Sequence, residues 1–317
     1  MTASSGSNRA IYAALVGNLL IAISKFVAAG LTGSSAMLSE AVHSLVDTSN
    51  EVLLLYGIRR AAKPPDRTHP LGHGRELYFW SFIVAVLIFA LGAGVSLYEG
   101  ITHILAPEPI ENFGVTYAVL ALSALFEFYS WSIALKEVRR RKGRLGYLDA
   151  ARRSKDLTTY TVLFEDSAAL LGIGIAFLGI GLSQWLEIPA LDGVASVGIA
   201  LVLGMAATFL ARESKGLLIG EPASRHVEEA ILRLAGEDPA VHHPNGILTV
   251  HLAPDQIVAS LSAEFHDSTT APEIEACVER IEAAIKARHP DVTVLFVKPQ
   301  SAARWRALQR LWSRPTG

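Results

Sequence analysis

The chain contains 317 residues, of which 51% are hydrophobic and only 18% carry a charge. Soluble domains of this length rarely have so apolar a composition, so the sequence indicates a membrane protein. Its formal net charge of -2 argues against a nucleic-acid-binding protein. Cys277 is the one cysteine, which excludes an intrachain disulfide and a cysteine-based zinc site.

Apolar runs long enough to cross a bilayer follow one another from residue 11 onward, where about 20 residues suffice for one span. Residues 1–10 are small and polar, and we expect them to form a short tail. The run after them is too long for the core of a signal peptide, so we expect it to be retained as the first membrane helix. The sequence predicts a six-helix transmembrane domain over 11–212, with spans at 11–31, 35–58, 77–105, 112–135, 156–183 and 190–211.

The basic residues are distributed unevenly among the links between these spans. Lysines and arginines crowd 59–75 and 136–155, whereas the other three links contain none. Because basic loops stay on the cytoplasmic side, both termini are predicted to be cytoplasmic. No targeting segment is recognisable, so we expect the protein in a bacterial inner membrane.

The character of the chain changes after the last span, where short periodic segments replace the long apolar runs. Their order is α-β-β-α-β, which predicts a small cytoplasmic α+β domain over 213–300 with one open sheet face. The tail 301–317 is basic and amphipathic, and either lies on the anionic inner leaflet or forms an exposed basic extension. The predicted elements are a helix at 224–236, strands at 247–252 and 257–265, a helix at 272–288 and a strand at 292–298.

Span two carries ionisable residues that are costly in a hydrocarbon core and are therefore functional candidates. His43 and Asp47 are four residues apart and share one helical face, which Glu40 and Glu51 extend toward the two membrane surfaces. An imidazole and a carboxylate on one face suit a divalent ion such as zinc. The alternative is a polar clamp, in which His43 pairs with Asp47 or with a neighbouring helix.

Span five carries two adjacent carboxylates, Glu165 and Asp166, which point about 100° apart on a helix. Asp166 lies about 16 Å above the inner end of its span, and His43 and Asp47 lie about 12 and 18 Å below the outer end of theirs. Because the two spans run antiparallel, all three residues are predicted to meet near the midplane of the membrane. Asn18, Lys25, Glu99 and Glu127 are interpreted mainly as helix-pairing groups.

These residues and four stretches of sequence resemble the cation diffusion facilitator family of metal–proton antiporters. The stretches are the first span around Asn18 and Lys25, TGSSAMLSEAVHSLVD at 32–47, HPLGHGR at 69–75 and FEDSAALLG at 164–172. The resemblance covers about 11–300. It implies alternating access driven by proton exchange, and a homodimer formed through the C-terminal domain.

The resemblance also implies a transport site with two ligands from span two and two from span five. The first pair falls on His43 and Asp47, and the second span-five ligand falls on Asp166. The first span-five position falls on Val162, which cannot bind a metal. Glu165, a water or another carboxylate is then the fourth ligand, and Glu40, Glu127 and Asn18 are candidate auxiliary residues.

The link between spans two and three contains Asp66, His69 and His73, a spacing with which some members of the family bind a second metal. Pro70, Gly72 and Gly74 equally indicate a rigid structural turn. Arg75 follows directly and is expected to form an inter-domain salt bridge to the root of the C-terminal domain, with Glu221 or Glu213 as the partner.

The expected function is transport, not catalysis, and no cofactor is expected besides the metal being carried. Zinc is the expected metal because of His43, whereas a site rich in carboxylates tolerates manganese, iron or cobalt. The expected direction is out of the cytoplasm in exchange for protons. A non-transporting membrane scaffold, which kept the fold and lost the ligand at Val162, is the competing hypothesis. A passive channel is a third.

Overall fold

A computed structural model describes residues 5–107, 113–143, 145–153, 155 and 157–312. The chain divides into two compact units. The first ends at Lys215 and contains all that precedes it except His73–Arg75, which belong with the second unit from Gly216 onward.

The first unit is built from long helices. Ser34 caps the second of them, because its hydroxyl accepts a hydrogen bond of 3.2 Å from the backbone N–H of Met37. A π-helical segment, Ile88–Ala93, interrupts one rod of the bundle between α3 and α4. The helices are α1 (Ser5–Thr32), α2 (Ser35–Ala61), α3 (Glu76–Leu87), α4 (Gly94–Leu105), α5 (Phe113–Arg141), the short α6 (Tyr147–Arg153), α7 (Leu157–Leu186) and α8 (Ala190–Ile219).

The surface of this unit is apolar and its interior is partly polar, the reverse of a soluble protein. Leu125, Leu178 and Met205 are exposed, whereas Lys25 and Glu40 are fully buried. This distribution is that of an integral membrane protein, in which lipid surrounds the apolar side chains.

Four helical segments of the described residues are long and apolar enough to cross a membrane. They are Glu76–Leu105, Phe113–Arg140, Thr158–Leu186 and Ala190–Ile219, and Asn18–Thr32 forms a shorter apolar stretch. α2 is as long as a span, but its sequence includes Glu40, Asp47 and Glu51, which lower its mean hydropathy. The count of six spans therefore stays a prediction, although α1 and α2 lie where the first two were expected.

The second unit has the order α-β-β-α-β that the sequence predicts, followed by a further helix. Strands β1 and β2 form an antiparallel hairpin, and β3 pairs with β2 in parallel, so that the sheet order is β1-β2-β3. β1 begins six residues earlier than predicted, because its irregular first half (HHPNG) lacks an alternating apolar pattern. The elements are α9 (Arg225–Gly236), β1 (Val241–Ala253), β2 (Gln256–Phe265), α10 (Ala271–Arg288), β3 (Val292–Pro299) and α11 (Ala302–Trp312).

One face of the sheet is covered by α9 and α10. Ile231 of α9 and Ile281 of α10 pack with Ala259 and Leu261 of β2 in a closed apolar core. Turn geometry and capping place these helices: Ser224 caps α9, and Thr270 with Glu273 forms a capping box at the start of α10.

Helix α11, the described part of the basic tail, packs on the opposite face of the sheet. The indole of Trp305 in α11 is buried against Gly246 of β1, and a side chain in place of this glycine would collide with the indole. The backbone N–H of Ala302 donates to Glu264 Oε2 of β2 at 3.1 Å. Trp305 therefore anchors α11 to its own domain, and the two arrangements of the tail considered from sequence stay predictions.

Candidate metal centre

A line of polar side chains runs along the buried face of α2. Glu40 and His43 are almost fully buried, and Asp47 is 8% exposed. Residues four apart lie one turn apart on a helix, so Nδ1 of His43 comes to 3.4 Å from Oδ1 of Asp47. The structure thus brings together the two residues that the spacing of span two predicted to share a face.

The acidic pair of α7 lies in the helix that packs directly against α2. Glu165 and Asp166 are both buried, although they are adjacent in sequence. The side chain of Asn50 on α2 donates a hydrogen bond of 2.9 Å to Oε1 of Glu165. That contact shows that Glu165 faces α2, whereas Val162 packs with the apolar cluster around Leu163.

Several ligand-type atoms of these residues have no hydrogen-bond partner among the described residues. They are both ring nitrogens of His43, Oδ1 of Asp47 and Oδ2 of Asp166. Buried polar atoms are nearly always paired in folded proteins, so such a group of exceptions requires an explanation. Nitrogen and carboxylate oxygen are the ligands that zinc prefers, so a metal ion would satisfy them.

The candidate ligand atoms are too far apart to bind one ion together in this structure. Among the described residues, no three ligand atoms contributed by His43, Asp47, Glu165 and Asp166 lie within 4.8 Å of one another. The Asp47 carboxylate is nevertheless close enough to those of Glu165, Asp166 and Glu127 to be repelled by them. The four acids therefore lie in one neighbourhood inside the bundle.

The auxiliary residues take part in polar contacts between helices. The Lys25 ammonium donates to Glu40 Oε2 at 3.1 Å and to Ser44 Oγ at 2.7 Å, and both charged side chains are fully buried. The Asn18 amide donates to Glu51 Oε1 at 2.9 Å. Glu40 and Asn18 thus hold α1 against α2.

Three contributors to this network escaped the sequence analysis: Asn50, Ser44 and the role of Lys25 as the partner of Glu40. Asn50 lies seven residues after His43, hence on the same helical face, and that spacing was the available signal. The two partners of Lys25 lie 15 and 19 residues away on another helix, so no local pattern connects them.

The link between α2 and α3 contains the predicted second metal site. Asp66 Oδ1 accepts hydrogen bonds from the backbone N–H groups of Thr68 and His69, and lies 3.5 Å from Nδ1 of His69. These contacts form a tight turn of the chain. His73 belongs to the second unit, so its joining Asp66 and His69 stays a prediction.

Arg75 and Glu221 both lie in the second unit by its contacts. The backbone carbonyl of Glu221 accepts from the N–H of His251 at 3.0 Å, and the Arg75 guanidinium lies beside Gly220. The salt bridge between their side chains stays a prediction.

Comparison with known proteins identifies the class to which this arrangement belongs. Residues 11–219 match the model of the cation efflux transmembrane domain. The chain belongs to the cation diffusion facilitator family. This family consists of transporters, not of enzymes.

Three relatives of this cation diffusion facilitator differ in their identity to it and in the share of each chain that is matched. The human proton-coupled zinc antiporter SLC30A9, mitochondrial, is 36% identical over 238 residues, which are 74% of this chain and 42% of that protein. Metal tolerance protein C4 of Arabidopsis thaliana is 31% identical over 74% of this chain and 52% of its own length. The cation-efflux pump FieF of Klebsiella pneumoniae (strain 342) is 25% identical over 97% of both chains. The chain thus spans about half the length of the first two.

Proposed function

We propose that this cation diffusion facilitator exchanges Zn²⁺ for protons across the membrane by alternating access. The observation that carries the proposal is the group of unpaired ligand atoms on His43, Asp47 and Asp166, buried between two helices that pack together. His43 favours zinc over harder cations. The likeness to a protein named as a proton-coupled zinc antiporter points the same way.

The charges of the site make exchange the natural mode of transport. Lys25 is bound to Glu40 and Ser44, so its charge offsets Glu40. The acids near Asp47 then need either a divalent cation or protons to be tolerated inside the bundle. Metal arrival displaces protons, and protons replace the metal that leaves, with His43 as the proton carrier because histidine ordinarily titrates near neutral pH.

Glu165 is proposed as the fourth ligand in place of Val162. Asn50 holds one of its carboxylate oxygens, which orients the side chain toward α2 and leaves the other oxygen for a metal. Because no three of the site's ligand atoms lie within 4.8 Å of one another, the helices and side chains must close around the ion to complete its coordination. Closure of this kind would couple binding to the change of access.

The arrangement in the membrane follows from the same reading. We infer six spans, including α1 and α2, with both termini in the cytoplasm, because the arginines of the α2–α3 and α5–α7 links then lie inside. Transport would run out of the cytoplasm. A bacterial inner membrane is the proposed location, in line with the likeness to the Klebsiella pump over nearly the whole chain.

A homodimer through the C-terminal unit is also proposed. Leu248, Ser260 and Phe296 lie opposite one another across the three strands, on the sheet face that α9 and α10 leave open. Leu248 is 49% exposed and Phe296 is 57% exposed, and α11 covers only the neighbouring end of that face near Gly246. A second copy of the chain would bury these apolar side chains.

The test is zinc uptake into proteoliposomes under a proton gradient. Asp47→Ala and Asp166→Ala should each reduce the initial rate at least about 100-fold, since each removes one of the proposed ligands. Glu187→Gln, an exposed carboxylate of the α7–α8 link, is the matched control and should transport as the parent does. Parental rates in either alanine variant, at equal insertion, would refute the site.

A non-transporting scaffold is the second candidate, and two observations favour it. Val162 replaces a ligand, and the site's ligand atoms are not gathered at coordination distance. A scaffold would show no zinc flux in the parent protein and no zinc binding that depends on Asp47 in a calorimetric titration. A passive channel would show flux that does not respond to the proton gradient.

A further inference from the structure

A second buried polar cluster lies at the end of the bundle where α2 and α8 begin and α4 ends. It consists of Ser34, His103 and Asp192 and is named here the Asp192 cluster. Ser34 Oγ donates to the Asp192 carboxylate, at 3.0 Å from Oδ1 and 3.2 Å from Oδ2. Nε2 of His103 lies 3.9 Å from Oδ2 of Asp192. Asp192 is fully buried, and His103 is 8% exposed.

Two glycines bring these side chains together. A Cβ atom on Gly100 of α4 would lie 2.8 Å from the carbonyl oxygen of Gly193 of α8, and one on Gly193 would lie equally close to the carbonyl oxygen of Gly100. The two backbones therefore touch, as small residues permit in membrane helices. His103 is nearly one turn beyond Gly100, and Asp192 precedes Gly193, so this contact places the imidazole beside the carboxylate.

The imidazole opens onto a cavity of about 480 Å³ between α1, α2 and α4. Its lining combines apolar side chains such as Phe26 with the polar groups of Ser34, Glu99, Thr102 and His103. Glu99 lies one turn before His103 on α4 and reaches the same cavity. Nε2 of His103 is buried and has no hydrogen-bond partner among the described residues.

We propose that the Asp192 cluster is a second site for a divalent transition-metal ion, bound between Nε2 of His103 and Oδ2 of Asp192. Two ligands on one zinc ion lie about 3.4 Å apart, given bonds of about 2.0–2.1 Å and tetrahedral angles. Nε2 of His103 and Oδ2 of Asp192 lie 3.9 Å apart, so a small side-chain adjustment would bring them to this separation. Ser34 orients the Asp192 carboxylate, and Glu99 and water complete the coordination from the cavity.

This site is separate from the one on α2 and α7. Ser34 lies nine residues before His43, which is about 14 Å along the helix axis. An ion held at the Asp192 cluster would therefore sit at the end of the bundle, beyond the central site. It would act as a transient station for an ion that has left the central site.

The experiment compares zinc binding in full-length protein from which the central site has been removed. In the Asp47→Ala/Asp166→Ala background, adding His103→Gln should eliminate about one equivalent of bound zinc per chain. His243→Gln, an exposed histidine of β1, is the matched control and should leave the count unchanged. Because the two proteins differ only at the tested histidine, zinc held elsewhere in the chain cancels.

A second variant keeps the test decisive if His103→Gln alters the fold. In the same background, His103→Cys should bind Cd²⁺ and show the ultraviolet charge-transfer absorption of a cadmium–thiolate bond. Adding Asp192→Asn should weaken this binding of Cd²⁺ at least tenfold. The native thiol does not interfere, because burial and the neighbouring Asp238 raise the pKa of Cys277 to about 12. An unchanged zinc count and no absorption would overturn the proposal and leave His103 as a structural neighbour of Asp192.

Discussion

Glu165 shows how one residue acquires its role from a neighbour that is distant in sequence. It is adjacent to Asp166, and a helix would direct the two carboxylates to different faces. Asn50, on another helix, holds the Glu165 carboxylate toward α2. The hydrogen bond therefore directs Glu165 toward α2, and in the proposed site Glu165 takes the ligand position that Val162 cannot fill.

Glu165→Gln provides the test of that role. We expect zinc transport to fall about 10- to 100-fold, because an amide keeps the shape and the contact with Asn50 but is a much weaker metal ligand than a carboxylate. The measurement is the initial rate in proteoliposomes at several zinc concentrations. A rate within twofold of the parent would exclude Glu165 as the fourth ligand, whereas the Asp47 and Asp166 predictions would stand.

At the scale of elements, glycine decides how closely α4 and α8 approach. Gly100→Ala would place a methyl group 2.8 Å from the backbone of α8, and neither backbone can move without separating the helices. We expect a loss of about 1–3 kcal/mol, as for overpacking in a core. Thermal unfolding in detergent measures it.

The matched control for this substitution is Gly174→Ala in α7. An added Cβ there meets nothing within 4 Å, so the alanine should be neutral or slightly stabilising. Equal melting temperatures for the two variants would show that the contact between α4 and α8 is looser than described.

An ion pair joins α10 to the segment before β1, and it predicts a pH dependence. The Arg280 guanidinium donates to both Asp238 oxygens at 2.8 and 2.9 Å and lowers the pKa of Asp238 to about 2. Because the folded pKa lies below the unfolded value near 3.8, the pair stabilises fully above about pH 4 and loses its effect as the pH falls toward 2.

Asp238→Asn should therefore destabilise the protein by on the order of 1 kcal/mol at neutral pH, since Arg280 is half exposed and water weakens the pair. The difference in melting temperature between parent and variant should shrink as the pH is lowered below 4. A difference that stays constant down to pH 2.5 would contradict the lowered pKa. Glu282→Gln, in an exposed pair with Lys286, is the control and should change stability less.

For the whole molecule, the open sheet face of the second unit determines the expected assembly. Phe296→Glu should weaken the proposed homodimer at least about tenfold, because it places a charge on the open sheet face in place of its most exposed apolar side chain, across the sheet from Leu248. Light scattering of the purified chain in detergent measures the oligomeric state. Ala287→Glu, on the exposed side of α10, adds the same charge elsewhere and should leave the dimer intact. A monomeric parent would contradict the assembly itself.

The sequence by itself determined the elements and their class. Hydrophobic period and length located the long helices of the first unit and the order α-β-β-α-β of the second, because both signals are local, whereas the short α6 was not predicted. The four-residue spacing of His43 and Asp47 likewise predicted their shared face, which is a property of any helix.

Only the tertiary structure decided what each buried polar group meets. Lys25 with Glu40, Asn50 with Glu165, and His103 with Asp192 are pairs between different helices, and their partners depend on how those helices pack. The same holds for Trp305, whose pocket at Gly246 exists only once β1 is paired. A local pattern specifies which face of an element is buried, but contacts between elements far apart in sequence arise only from the packing that brings those faces together.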